Sequence, residues 1–116
     1  MDLEFSDDVM MRIKKHLNAD TVVVLDFDDG VGPFSKVGIC SLDTAFKLVL
    51  TTKAAVTPEF DAEIESNLGQ VLIKDYSKEQ LDQQMTVIQD DNLNLVLKGA
   101  GGILDGHMQM IDLQNK

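Results

Sequence analysis

The first regular pattern along the chain has a helical period. Val9, Met10, Ile13 and Leu17 form one apolar stripe, the spacing of a helix that lays one face on a core. Ser6 stands where a hydroxyl would accept an orphan N–H of the first turn. Phe5 and Met10 flank it at the staple positions. Asp7 and Asp8 sit at the positive end of the dipole, and Lys14, Lys15 and His16 at the negative end. Asn18-Ala19-Asp20 ends the element.

The period then changes from helical to that of strands. Thr21 to Phe27 is a β-branched run that reads as a well-buried strand. Asp28 to Pro33 carries strong turn chemistry. Lys36 to Ser41 and Ala45 to Thr52 read as further strands, the second with Phe46, Leu48 and Leu50 alternating with Lys47, Val49 and Thr51. A connection around Thr57-Pro58-Glu59 leads to Ile64, and Asn67-Leu68-Gly69 turns into a strand over Gln70 to Ile73. Ser77-Lys78-Glu79-Gln80 has the form of a capping box, stapled by Tyr76 and Leu81, and predicts a short helix ending near Gln84. Thr86 to Gln89, a turn at Asp90-Asp91-Asn92, and Leu93 to Lys98 form a hairpin with Leu93, Leu95 and Leu97 on one face. Gly99 to Gly102 is a loop, and Ile103 to Leu113 holds at least one more strand. Seven or eight short strands with two helices give an α+β, mainly β class.

Size and charge narrow the function. The chain has 116 residues, one domain spanning 1–116 with a disordered tail allowed at 114–116. Its formal charge of −10 repels phosphate, which argues against nucleic acid as a partner and against an anionic membrane surface. The acidic start Met1-Asp2-Leu3-Glu4 lacks the basic and apolar regions of an export signal, so the cytoplasm is the expected location. With one cysteine, Cys40, the fold does not rest on an intramolecular disulfide.

Three places carry candidate chemistry. Asp26, Asp28 and Asp29 cluster at a strand end as a hard cation would require, although the spaced ligands of a calcium loop are absent. The same segment resembles the Asp-x-Asp motif of haloacid-dehalogenase-type phosphatases. Gly30 stands where those enzymes carry Thr or Val, and the chain lacks their alternating strand–helix order. A solvated acidic turn is the plainer reading. Cys40, in Val37-Gly38-Ile39-Cys40-Ser41, is either a soft metal ligand or a small buried hydrophobe. Burial in its strand, with a sluggish thiol, is the expectation. His107 lies in Asp105-Gly106-His107-Met108, as a ligand or as an ordinary loop histidine, while His16 is accounted for by its helix end.

The order of elements from about Leu3 to Met110 resembles the HesB/IscA-like family of iron–sulfur biogenesis proteins. Gly38-Ile39-Cys40-Ser41 stands where that family carries its first cysteine. The strand before Asp75-Tyr76-Ser77-Lys78, the hairpin and the glycine-rich loop also have counterparts, and Leu25 to Ser35 is similar to a divergent subgroup found in Gram-positive bacteria. The resemblance implies a compact HesB-like sandwich or barrel and a non-enzymatic accessory role in contact with iron, an Fe–S cluster or a partner protein of iron–sulfur assembly. The family's C-terminal Cys-Gly-Cys is replaced by Asp105-Gly106-His107-Met108. Of three thiolate positions only Cys40 is retained, with His107, Asp26, Asp28 and Asp29 as substitute ligands. A symmetric homodimer would double every ligand. The alternative is an acidic protein-binding module that has kept the fold, lost the metal and holds no cofactor.

Overall fold

The computed structural model describes residues 1–27 and 46–114. Eight strands lie within them: β1 (Asp2–Phe5), β2 (Thr21–Phe27), β3 (Phe46–Thr52), β4 (Ala62–Ser66), β5 (Gly69–Ile73), β6 (Gln84–Gln89), β7 (Leu95–Gly99) and β8 (Gly102–Asp112). They close into a barrel in the order β1-β4-β5-β2-β3-β8-β7-β6, with β6 returning to β1. The pairs β1–β4, β1–β6, β2–β5 and β3–β8 are parallel. The other four are antiparallel. Closure leaves no free edge among the described strands.

Residues at alternate positions fill the barrel. Val23 and Leu25 of β2, Leu48 and Leu50 of β3, Val71 and Ile73 of β5, and Leu95 and Leu97 of β7 share one interior cluster. Helix α1 (Asp7–Lys14) adds Val9 and Ile13 to it. β2 and β3 are covered outside as well, where Val24 and Val49 pack with Phe60. Six of the seven residues of β3 are buried. Apolar cover on both faces explains why these two strands read as near-continuous apolar runs.

Several sequence expectations change. The second helix is a 3₁₀ turn over Asp75–Gln80, and Ser77 sits inside it as a donor to the Lys74 carbonyl at 2.6 Å. Leu81 is buried while Tyr76 lies on the surface. Ser6 is the N-cap of α1 by position, but its hydroxyl donates to the Asp8 carboxylate and caps no backbone N–H. β1 and β4 were not expected. β4 continues past its end through a side chain: Asn67 accepts the Phe5 N–H with Oδ1 and donates Nδ2 to the Phe5 carbonyl, both at 2.9 Å. That amide occupies the place of a strand backbone and satisfies groups that would otherwise lack partners. No helix among the described residues is long and apolar enough to cross a membrane.

Candidate functional site

Cys40, Asp28 and Asp29, together with the expected strand over 36–41, lie outside the described residues, so the site is built from its base. β2 ends at Phe27 and β3 begins at Phe46, the register pair that brackets positions 28–45. Their rings meet at 5.3 Å between centroids, tilted by 40°. Each strand end is also held by a buried charged side chain.

On the β2 side the holder is Lys74. The parallel register pairs Val24 with Leu72, so two residues further on Asp26 lies beside Lys74. Its Nζ is 2.9 Å from Asp26 Oδ1 and donates to the Phe27 carbonyl at 2.9 Å. Both side chains have no exposed surface. The ammonium lies 5.7 Å from the centre of the Phe60 ring, a cation–π distance. Lys47, the register partner of Asp26 on β3, is buried too. Asp26, expected as a cation ligand, is thus a buried carboxylate facing an ammonium. A metal ion at Oδ1 would have to displace Lys74.

On the β3 side the holder is Asp105. β8 is irregular there: Leu95 pairs with Met108 but Leu97 pairs with Asp105. Two residues of β7 thus span three of β8, which is a β-bulge at Gly106-His107. A second register shift falls between Leu97 and Lys98. Asp105 is buried and accepts the Phe46 N–H at 3.0 Å with one oxygen and the His107 N–H at 2.8 Å with the other. One carboxylate therefore ties the start of β3 to the bulge that carries His107.

The His107 side chain is exposed and borders a cleft of about 390 Å³ with Arg12, Leu93 and Ile111. Asp90, in the β6–β7 turn, is held below the ordinary aspartate range. The Asn94 N–H is the main cause; burial opposes it, and the Asn94 side chain, the Asn92 N–H and the charge interaction with His107 add to the lowering. His16 is engaged elsewhere, with Nδ1 2.8 Å from Asp112 Oδ2. Among the described residues no three His, Cys, Asp or Glu side chains converge on one point. Sequence reasoning missed Lys74, Lys47 and Asp105. The available signal was a charged residue inside or directly after an apolar strand run, as in Phe46-Lys47-Leu48 and Leu72-Ile73-Lys74.

Among the described residues, a small eight-stranded mixed barrel with a buried ion pair at the end of β2 defines the structural class. The chain belongs to the iron–sulphur cluster biosynthesis family, whose model matches residues 1–112. A candidate Fe–S biosynthesis protein from Lactobacillus salivarius, described as having a novel fold, superposes with a TM-score of 0.87. It is 31% identical, over 99% of this chain and 100% of that one. A second candidate Fe–S biosynthesis protein, from Lactobacillus acidophilus, gives a TM-score of 0.75 at 22% identity, over 97% and 90% of the two chains, and bears on the fold alone. No curated protein matches the chain.

Proposed function

We propose that this chain is a non-enzymatic accessory protein of iron–sulfur cluster assembly in the cytoplasm, which contacts iron or a cluster as cargo together with a protein partner of that machinery. Cys40 is the thiolate anchor in this reading and His107 the second ligand. The supporting observation is the Asp105 carboxylate shared by Phe46 and His107. Cys40 precedes Phe46 by six positions in the chain. The residue that anchors its segment is therefore tied to the bulge bearing His107. Imidazole and thiolate both suit iron. Asp26 is better assigned to holding Lys74 and the end of β2 than to the cargo. Asp28 and Asp29 remain weaker oxygen donors in the proposal.

The test is anaerobic reconstitution with iron and sulfide, read by absorption spectra of the wild type, Cys40→Ala and His107→Ala. A chromophore that depends on Cys40 and is weakened or shifted in His107→Ala is the expected result. Absence of any Cys40-dependent chromophore removes cluster binding.

A second reading, recognition of a basic protein partner without metal, has its own observation. Asp2, Glu4, Glu63 and Glu65 are exposed on β1 and β4, and Asp2 is register partner to Glu65. Like charges directly opposite one another across strands are destabilising. A basic surface laid on them would reverse that sign. A salt-sensitive partner retained by Cys40→Ala in a pull-down would favour this reading.

A further inference from the structure

The chain has one arginine, Arg12, against 20 Asp and Glu. Among the described residues no carboxylate pairs with it. Asp8 stands four residues earlier on α1, the usual pairing distance along a helix. It accepts the Ser6 hydroxyl and the Val9 N–H instead. Asp90, in the turn that Arg12 grips, accepts from Asn92 and Asn94 with its two oxygens. Arg12 is held by neutral acceptors alone: Nη1 donates to Gln89 Oε1 at 3.1 Å and to the Leu93 carbonyl at 3.0 Å. Those bonds immobilise a half-buried guanidinium through one end of its fork. Nε and Nη2 carry the remaining N–H donors, and no described residue accepts them. In a chain of net charge −10, a fixed arginine without a carboxylate is prepared for an anion from outside.

The cleft says which anion. Arg12 lines it with Leu93, His107, Gln109 and Ile111, around a volume of about 390 Å³, the low end of small-molecule pockets. The free edge of the guanidinium is planar and matches the two oxygens of a carboxylate. A phosphate dianion would bring twice the charge to the same single arginine, against the field of an acidic chain. His107 borders the cleft and can donate an N–H from its rim. Leu93 and Ile111 add apolar surface for the carbons behind the carboxylate. We propose that this cleft binds a carboxylate borne on a short aliphatic stem, with Arg12 as its bidentate partner and His107 as a further donor. Two sources share that chemistry, a small free acid and the C-terminus of a peptide. Binding needs no iron, so the site stands apart from the cargo reading.

The test is titration of the metal-free, isotope-labelled protein at constant ionic strength, read by amide shifts in NMR spectra. Failure of cargo binding therefore cannot be mistaken for failure of this site. N-acetylleucine should saturate with a Kd of about 0.1–10 mM and move the amides of Asn94, Gln109 and Ile111. N-acetylleucinamide, the same stem without the charge, should bind at least about tenfold more weakly. Butyrate at least as tight as N-acetylleucine assigns the site to small free acids, and weaker butyrate assigns it to a peptide C-terminus. Arg12→Lys keeps the charge but loses the fork and should weaken binding by about tenfold. Gln109→Glu leaves both Arg12 bonds in place and sets the protein's own carboxylate at the exposed wall of the cleft. It should abolish saturable binding by repulsion, and it decides alone if Arg12→Lys does not fold. No saturable shift up to about 50 mM N-acetylleucine overturns the proposal. So does equal binding of the amide, or inorganic phosphate binding as tightly as the carboxylate. Wild-type affinity in Gln109→Glu or in folded Arg12→Lys overturns it as well.

Discussion

Lys74→Met removes the ammonium from the base of the site and keeps the length of its stem beside Phe60. Asp26 is then left fully buried without the cation that stood 2.9 Å away, and the Phe27 carbonyl loses a donor. Removing one partner of a buried ion pair costs about 3–5 kcal/mol, because the remaining charge stays desolvated. A domain of this size holds roughly 6–17 kcal/mol in total, so the variant should be clearly but not fatally weakened. Replacing both partners by apolar residues, Asp26→Leu with Lys74→Met, should recover all but about 1–2 kcal/mol, since the buried pair is then removed as a unit. Recovery is incomplete because the Phe27 carbonyl does not regain the Lys74 donor. Urea unfolding followed by far-UV circular dichroism is the assay. The chain has no Trp and a single Tyr, Tyr76, so fluorescence would report little. The slope against urea should be unchanged, with the midpoint alone moving. A loss below about 1 kcal/mol for Lys74→Met, or a double variant as weak as the single, would refute the reasoning that the pair is desolvated and mutually dependent.

Asn67→Ala should cost about 1–3 kcal/mol by orphaning the N–H and C=O of Phe5, and hydrogen exchange at the Phe5 amide should accelerate well beyond that of its neighbours in β1. Asp105→Ala should cost about 2–4 kcal/mol, since two N–H groups lose their acceptor; it should also loosen His107, seen as increased amide exchange at both Phe46 and His107, and unchanged exchange at Phe46 would count against the shared-carboxylate geometry. Asp90 should titrate below the ordinary aspartate value, with the Asn94 N–H as the main cause. Its contribution to stability is therefore present above the unfolded-state value and is lost as pH falls through the lower folded one. A carboxyl NMR titration places this midpoint, and a value at or above the ordinary one would sink the prediction.

The parts of the fold that could be read from the chain are those in which burial is written as composition. β2 and β3 are covered on both faces, so Val22 to Leu25 and Phe46 to Leu50 carry little but apolar and β-branched residues. β1 and β4 are short and open to solvent outside. Asp2 and Glu4 alternate with Leu3 and Phe5, and in β4 only Ile64 is buried. Four or five residues of that kind give too short a period to separate a strand from an acidic loop. The capping-box pattern at Ser77 misled for a different reason. The Lys74 side chain is bound into the Asp26 pair, and the Ser77 hydroxyl and N–H both return to the Lys74 carbonyl. The chain tightens into 3₁₀ geometry in place of starting an α-helix. Leu93, expected on the face of Leu95 and Leu97, is exposed because the left-handed turn at that residue breaks the alternation.

The site was harder to read because its supports come from strands distant in sequence. Nothing near Asp26 announces Lys74, since the two meet through the parallel pairing of β2 with β5, and parallel neighbours need a long crossover between them. Asp105 is the sharper case. Its cross-strand partner is Leu97, and that of Met108 is Leu95, both partners being core residues. Cross-strand partners share a face, so Asp105 and Met108 face the same way although three positions separate them. Regular alternation would put them on opposite faces. The extra residue at Gly106-His107 restores the match, turning the Asp105 carboxylate to the Phe46 N–H and leaving the imidazole outside. Asp105-Gly106-His107 therefore functions as one structural unit: the acid anchors the root of β3, and the histidine stands exposed beside it on the bulge. A sequence shows the three residues adjacent, but only the pairing with β7 shows that the acid faces in and the histidine out.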